Sequence, residues 1–157
     1  MEENKVIVAV DASAHSKNAV EYYARHVHKP GYKIYMLHCI EVPTDITSAQ
    51  KQFMTPASVE NLYKEEKEKT KTLDDQLKNL LIDCKVPEGD IKFIDKCGLK
   101  PGEIIVSAAK EYNATMIAMG TRGMGKIRRT ILGSVSDYVV HHAHCPVLVC
   151  RYADKVN

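Results

Sequence analysis

Lys5-Val-Ile-Val-Ala-Val10-Asp11-Ala-Ser13 is the stretch that decides the fold. Val6 to Val10 are apolar without a break. A strand with one wet face alternates apolar and polar residues, so an unbroken run of this kind reads as a strand covered on both faces. The run stops at Asp11. From Ser13 to Val27 the residues Ala19, Val20, Tyr23, Ala24 and Val27 recur at helical spacing, with Ser13 or Ser16 available to cap the start. Pro30-Gly31 ends that helix.

The same alternation repeats outward from this unit. Tyr32 to Ile40 reads as a second strand, and Glu41 to Pro56, polar and with two prolines, as a long loop or lid. Ala57 to Lys85 has one apolar stripe of Val59, Leu62, Tyr63, Leu73, Leu77, Leu80, Leu81 and Cys84, so it reads as a long helix. Its Lys64-Glu-Glu-Lys-Glu-Lys69 segment pairs opposite charges at i,i+3 and i,i+4 and reads as a solvated face. After a turn at Pro87-Glu-Gly89 come a strand over Asp90 to Cys97, a helix over Lys100 to Tyr112 with Pro101 in its first turn, and a strand over Thr115 to Met119. Gly120 to Leu132 is a Gly-rich basic loop, Gly133 to His142 a helix, and Pro146 to Tyr152 a last strand. Strands alternating with helices imply parallel pairing through right-handed crossovers, hence a doubly wound open α/β sheet with helices on both faces. Ligands in such sheets sit outside the carboxyl ends of the strands where strand order reverses.

Composition narrows the function. A chain of 157 residues suits a single domain spanning 1–157, and 45% apolar with 27% charged residues is the balance of a globular protein. Lys plus Arg exceed Asp plus Glu by 22 to 20, which is no footprint of nucleic-acid binding. The polar, acidic Met-Glu-Glu-Asn start is unlike a signal peptide, and no apolar run approaches the roughly 20 residues needed to cross a bilayer. Five cysteines, Cys39, Cys84, Cys97, Cys145 and Cys150, form no C-x-x-C and sit mostly in apolar runs, so reduced, buried thiols in a cytoplasmic protein are expected.

The most chemical information lies in Gly120-Thr-Arg-Gly123-Met-Gly125-Lys-Ile-Arg-Arg-Thr-Ile-Leu-Gly133-Ser-Val-Ser136. Gly120-x4-Gly125-Lys126 resembles a P-loop, but Ile127 stands where Mg²⁺ needs a hydroxyl. The G-x-x-G-x-G spacing is not the dinucleotide fingerprint, and the turn after the first strand has no glycine. Gly120 and Gly123 permit close backbone approach to a ligand. Gly133-Ser134-Val135-Ser136 opens a helix whose first amides are unpaired, with Ser134 and Ser136 as added donors and Lys126, Arg128 and Arg129 as nearby cations. Together these point to phosphate binding.

Rival constellations are weaker. His141-His142-x-His144-Cys145 has metal-like residues at the end of a helix, where capping is the ordinary role. His38 and Glu41 offer an acid/base pair, but a half-buried histidine with a hydrogen-bond partner accounts for them better. No catalytic triad and no oriented nucleophile can be read, so no catalytic residue is assigned.

Gly120-x2-Gly123-x9-Gly133-Ser134, with Met119-Gly-Thr-Arg-Gly, Gly133-Ser-Val-Ser-Asp-Tyr-Val-Val, His144-Cys-Pro-Val-Leu-Val, Val8-Ala-Val-Asp11-Ala-Ser13 and Leu37-His-Cys-Ile-Glu41, resembles the ATP-binding branch of the universal stress protein family over residues 5 to 152. The resemblance implies a five-stranded parallel sheet ordered 3-2-1-4-5. It also implies ATP, or ADP or AMP, as ligand, with Mg²⁺ carried by the phosphates. Position by position, Asp11 would accept hydrogen bonds from the nucleoside, the main chain of Cys39 would read the adenine edge, and Met119 and Gly120 would underlie the ribose. Arg122, Gly123, Gly133, Ser134 and Val135 would hold the phosphates. Cys39 stands where similar proteins usually have valine, and Ala12 replaces the glycine of a frequent Asp-Gly-Ser opening. The implied function is a cytoplasmic, nucleotide-dependent stress-response or signalling module with at most slow ATP hydrolysis. The alternative is an adenine-nucleotide α-hydrolase or ligase on a related fold, but Asp11-Ala-Ser-Ala lacks the Ser-Gly-Gly-x-Asp-Ser loop usual there. A nucleotide-free interaction protein fits poorly with the intact Gly120, Gly123 and Gly133-Ser134 set. In the implied order the last strand is a sheet edge rich in Val and Leu, and a homodimer through Pro146 to Arg151 would cover it.

Overall fold

Val6, Val8 and Val10 turn to one face of the sheet and Ile7 to the other, and all four are buried. This two-sided burial is why the first strand is apolar throughout. The computed structural model describes residues 2–41, 55–121 and 132–151. The elements are β1 (Lys5–Val10), α1 (Ala14–His26), β2 (Lys33–Glu41), α2 (Pro56–Asp83), a 3₁₀ turn (Glu88–Asp90), β3 (Ile91–Gly98), α3 (Pro101–Glu111), β4 (Met116–Gly120), α4 (Ser134–His142) and β5 (Val147–Cys150). The five strands form one sheet in the order β3-β2-β1-β4-β5, every pairing parallel.

Each face has its own core. Val6, Val8, Val10, Ile34, Met36, Ile91 and Ala118 meet Val20, Tyr23 and Ala24 of α1 and Leu77 and Leu81 of α2. On the other side Ile7, Tyr35, Leu37, Ile117 and Met119 meet Ile105, Val106, Ala108 and Ala109 of α3 and Val139 of α4. Leu73, Leu80 and Cys84 of the expected α2 stripe pack where the spacing puts them, and the described residues of its charged segment are exposed.

The helices α2 and α3 stop by the same device. Lys85, at φ +71°, follows α2, with Val86 N donating to Leu81 O and Lys85 N to Ile82 O. Asn113, at φ +54°, follows α3, with Ala114 N donating to Ala109 O and Asn113 N to Lys110 O. Both are Schellman closures with a left-handed residue after the last turn. Neither is a glycine, so the sequence carried only a weak stop signal here.

Three expectations change. The turn at Pro87 to Gly89 becomes a 3₁₀ turn over Glu88–Asp90. The last strand is shorter, Val147–Cys150 rather than Pro146 to Tyr152. All five cysteines are free thiols, but only Cys150 is buried, and Cys97 is exposed near the end of the edge strand β3, outside both cores. The expected lid between Glu41 and Pro56, and the basic loop residues Lys126, Arg128 and Arg129, lie outside the described residues. Within the described residues no helix is long and apolar enough to cross a membrane.

Candidate functional site

β1 and β4 lie side by side, but their continuations part: α1 crosses on one face and α4 on the other. The crevice opened by that divergence is where a doubly wound sheet places its ligand. Three pieces of chain border it.

The first is the turn from β1 into α1. Asp11 Oδ1 accepts a hydrogen bond from Ser13 N at 2.7 Å, Asp11 N donates to Ser16 Oγ at 2.8 Å, and Ser16 N donates to Ser13 Oγ at 3.2 Å. Ser13 is thus the N-cap, in extended conformation. The aspartate uses one oxygen to brace its own turn, and its other oxygen has no hydrogen bond among the described residues.

The second is the turn from β4 toward α4. Thr121 N donates to Cys150 O at 3.2 Å, and Thr121 O accepts from Gly133 N at 2.9 Å and from Ser136 Oγ at 3.0 Å. Ser136 Oγ also lies 3.0 Å from Gly133 O. Thr121 and Gly133 are therefore stapled together. Gly133 is the N-cap of α4 and has no side chain to cap with, so the first-turn amides keep their affinity for an anion. Ser134 is exposed on that turn, and Val135 packs against the core.

The third is the end of β2. Pairing between β1 and β2 finishes at Val10↔His38, yet β2 continues to Glu41. Lys33 N donates to Asn4 O, and in a parallel ladder that phase turns the main-chain groups of every second residue from Lys33 onward toward β1. Cys39 belongs to that set, so its main chain faces the space β1 vacates at Asp11. Its thiol points elsewhere, 4.0 Å from Pro101 O.

The structure thus brings Asp11, Cys39, Gly120, Gly133 and Ser134 to one end of the sheet. Arg122 and Gly123 lie outside the described residues. Three expected roles need revision. Gly120 was read as making room for a ligand, but a Cβ there would stand 3.0 Å from His15 O, so what its missing side chain admits is the first turn of α1. Met119 is 5% exposed with its side chain in the core, leaving only its main chain for a ligand. Ser136 was read as a hydroxyl donor to phosphate, but it is 2% exposed and its hydroxyl donates to carbonyls of the frame. Thr121, not singled out from sequence, ties this frame together; a threonine at a strand end has no spacing that betrays it.

The rival clusters take structural roles. His141 Nδ1 lies 2.8 Å from Asp137 O and His142 Nδ1 2.9 Å from Tyr138 O, the capping expected of histidines in a last turn. No group of His, Cys, Asp and Glu able to hold a metal occurs among the described residues. His38 departs from expectation: its Nδ1 is buried with no hydrogen-bond partner among the described residues. Burial raises the Cys145 and Cys150 thiols above the ordinary range, which keeps both protonated and poor nucleophiles.

Comparison with known proteins agrees with this fold. The model of the universal stress protein family matches residues 3–151. Universal stress protein Sll1388 of Synechocystis sp. is 27% identical over 155 residues, spanning 94% of this chain and 97% of its own. A universal stress protein of Thermus aquaticus is 30% identical over 146 residues, spanning 93% and 97%. Among solved structures, hypothetical protein MJ0577 superposes with a TM-score of 0.76 at 22% identity over 98% of this chain and 99% of its own. A universal stress protein in complex with cAMP gives 0.70 at 19% identity over 96% and 98%. The Archaeoglobus fulgidus universal stress protein in complex with dAMP gives 0.56 at 20% identity over 94% and 97%. At these identities the structural likeness speaks for the fold.

Proposed function

This chain belongs to the universal stress protein family, and on that premise we propose that it is an adenine-nucleotide-binding module of the family's ATP-binding branch. Residues 1–157 act as one domain, with the nucleotide lying across the carboxyl ends of β1 and β4. The observation that carries this reading is the overhang of β2. The main chain of Cys39 is turned to the β1 side, level with Asp11, where the β1–β2 ladder has already ended, as reading of an adenine edge requires, while a second border of the same crevice presents the anion-attracting first turn of α4.

In this reading the second oxygen of Asp11 accepts from the nucleoside, Cys39 reads the base through its main chain, and the main chain of Met119 and Gly120 lies beneath the ribose. Arg122, Gly123, Gly133, Ser134 and Val135 hold the phosphates. Ser136 supports the frame. That one relative is a complex with cAMP and another a complex with dAMP favours an adenine nucleotide. The Gly120-x2-Gly123-x9-Gly133-Ser134 spacing favours a triphosphate, with Mg²⁺ bound through it. Hydrolysis is slow, because the sequence offers phosphate donors but no catalytic residue beside them, and general acid–base help is typically worth about 10²–10⁴-fold. The module works in the cytoplasm as a homodimer through the Pro146 to Arg151 edge, and nucleotide occupancy is its signal.

Mass spectrometry of what purified protein releases on denaturation, together with calorimetric titration with MgATP, ADP and AMP, tests the reading. Bound adenine nucleotide and measurable heat are expected. Protein that releases none and takes up none of the three overturns it, and a turnover near about 10 s⁻¹, typical of enzymes, would favour the hydrolase alternative.

A further inference from the structure

Ser16 and Ser136 hold equivalent places on the two sides of the crevice. Each is the third residue of a helix that follows a central strand, counted from the N-caps Ser13 and Gly133. Each is buried, at 4% and 2% exposure. A polar side chain at this helical position ordinarily reaches back to the amide of its own cap. Ser16 reaches past the cap, accepting from Asp11 N at 2.8 Å, and Ser136 donates past it to Thr121 O at 3.0 Å. Both hydrogen bonds thus tie a helix to the end of the strand before it, one at the β1–α1 border and one at the β4–α4 border.

We infer that Ser16 and Ser136 are positioning residues that divide a bound nucleotide between them. Ser16 sets the nucleoside end by fixing Asp11, and Ser136 sets the phosphate end by fixing Thr121 against Gly133. This rests on the nucleotide reading above and goes beyond it, since neither hydroxyl touches the ligand. Without the Ser16 oxygen the Asp11 amide loses its acceptor and must turn to water, so the carboxylate spends less time where the nucleoside needs it. Without the Ser136 hydroxyl the carbonyls of Thr121 and Gly133 lose their shared donor, and the bond from Gly133 N to Thr121 O is left to hold the first turn of α4 there alone, so that turn wanders more. Apparent affinity falls by the fraction of time each border is out of place.

The test crosses two variants with two ligand halves. Wild type, Ser16→Ala and Ser136→Ala are titrated calorimetrically with ATP, with adenosine and with magnesium tripolyphosphate. Ser16→Ala should weaken adenosine about five- to tenfold and leave tripolyphosphate within about twofold; Ser136→Ala should do the reverse, and both should weaken ATP. Amide hydrogen exchange gives a readout independent of affinity: the Asp11 amide should exchange faster in Ser16→Ala and at the wild-type rate in Ser136→Ala. Each substitution removes one oxygen and no carbon, so core volume barely changes, and circular dichroism checks the fold. If both variants weaken both halves alike, or neither weakens either, or the Asp11 amide is unaffected in Ser16→Ala, the division of roles is wrong. Wild-type protein that takes up no adenine nucleotide overturns the nucleotide reading itself, a different result from a binding wild type whose variants show no crossed pattern.

Discussion

The carbonyl oxygen of His15 lies 3.0 Å from the point where a Cβ on Gly120 would stand. That approach joins the first turn of α1 to the end of β4 and so brings together two of the three borders of the crevice. Gly120→Ala should therefore cost about 1–3 kcal/mol, as crowding in a packed interior does. Backbone atoms of α1 would have to move, so ATP affinity should fall with stability. Thermal unfolding and titration of the same sample check this; a variant as stable as wild type would mean that α1 yields freely at this contact.

Gly133→Val should behave differently. Gly133 is at φ −60° and ψ 156°, which valine can adopt, so backbone strain is not the issue. A branched side chain would stand at the mouth of α4's first turn and replace one of the better N-caps with one of the worst. ATP affinity should drop at least about tenfold, or roughly 1.4 kcal/mol, with unfolding shifted by a few degrees. Unchanged affinity would remove α4 from the phosphate site.

Asp74 on α2 has its carboxyl pushed up to about 6 by burial, then by the charges of Asp95 on β3 and Asp75 beside it. A carboxyl raised on folding favours the folded state below its unfolded pKa and loses that contribution as pH rises through the folded one. Asp74→Asn should therefore stabilise the protein at pH 7.5, solvent screening holding the gain to about 1 kcal/mol, and the gain should shrink as pH falls toward about 4. Denaturant midpoints across that range measure it, and a gain independent of pH would contradict it.

His28 titrates with the opposite sense. Its ring lies in T-shaped contact with Tyr23 and Tyr32, Tyr23 Oη is 3.1 Å from Nδ1, and Nε2 is buried with no hydrogen-bond partner among the described residues. Desolvation lowers its pKa, opposed by the charge of Asp90. The unfolded chain then binds the proton first, so this contribution is intact above about pH 6.5 and lost as pH falls. His28→Gln should lower stability at pH 7.5 but flatten its decline between pH 7.5 and 5. An unaltered slope would show that His28 does not set it.

Ile117 N donates to Pro146 O and Thr121 N to Cys150 O, so β5 presents alternate residues to β4 and turns the amides of Val147 and Val149 to the open edge. Sedimentation at micromolar concentration should show a dimer, and Val149→Pro, which removes an edge donor without breaking the β4 ladder, should shift it to monomer. Wild type that stays monomeric at high concentration would rule out this edge as the interface.

The unbroken apolar run of β1 and the strand-helix alternation made a parallel sheet covered on both faces legible from the sequence, because hydrophobic periodicity is a local property. The glycine spacing before α4 and the Asp11 turn likewise marked both ends of the crevice. Strand order was not written in periodicity; it came from resemblance and was then seen in the pairing of β1 with β4. Nor could sequence tell two kinds of glycine apart: Gly120 and Gly133 look alike in a motif, yet one admits a neighbouring helix and the other caps α4. Ser136 looked like a phosphate donor because hydroxyls at a helix start often are, but which way a hydroxyl points depends on what packs around it. That the main chain of Cys39 faces the crevice follows from the register of β2 against β1 and from β1 ending three residues sooner, as Val10↔His38 against Glu41 shows. Such facts arise when distant segments meet, and only the tertiary structure decides them.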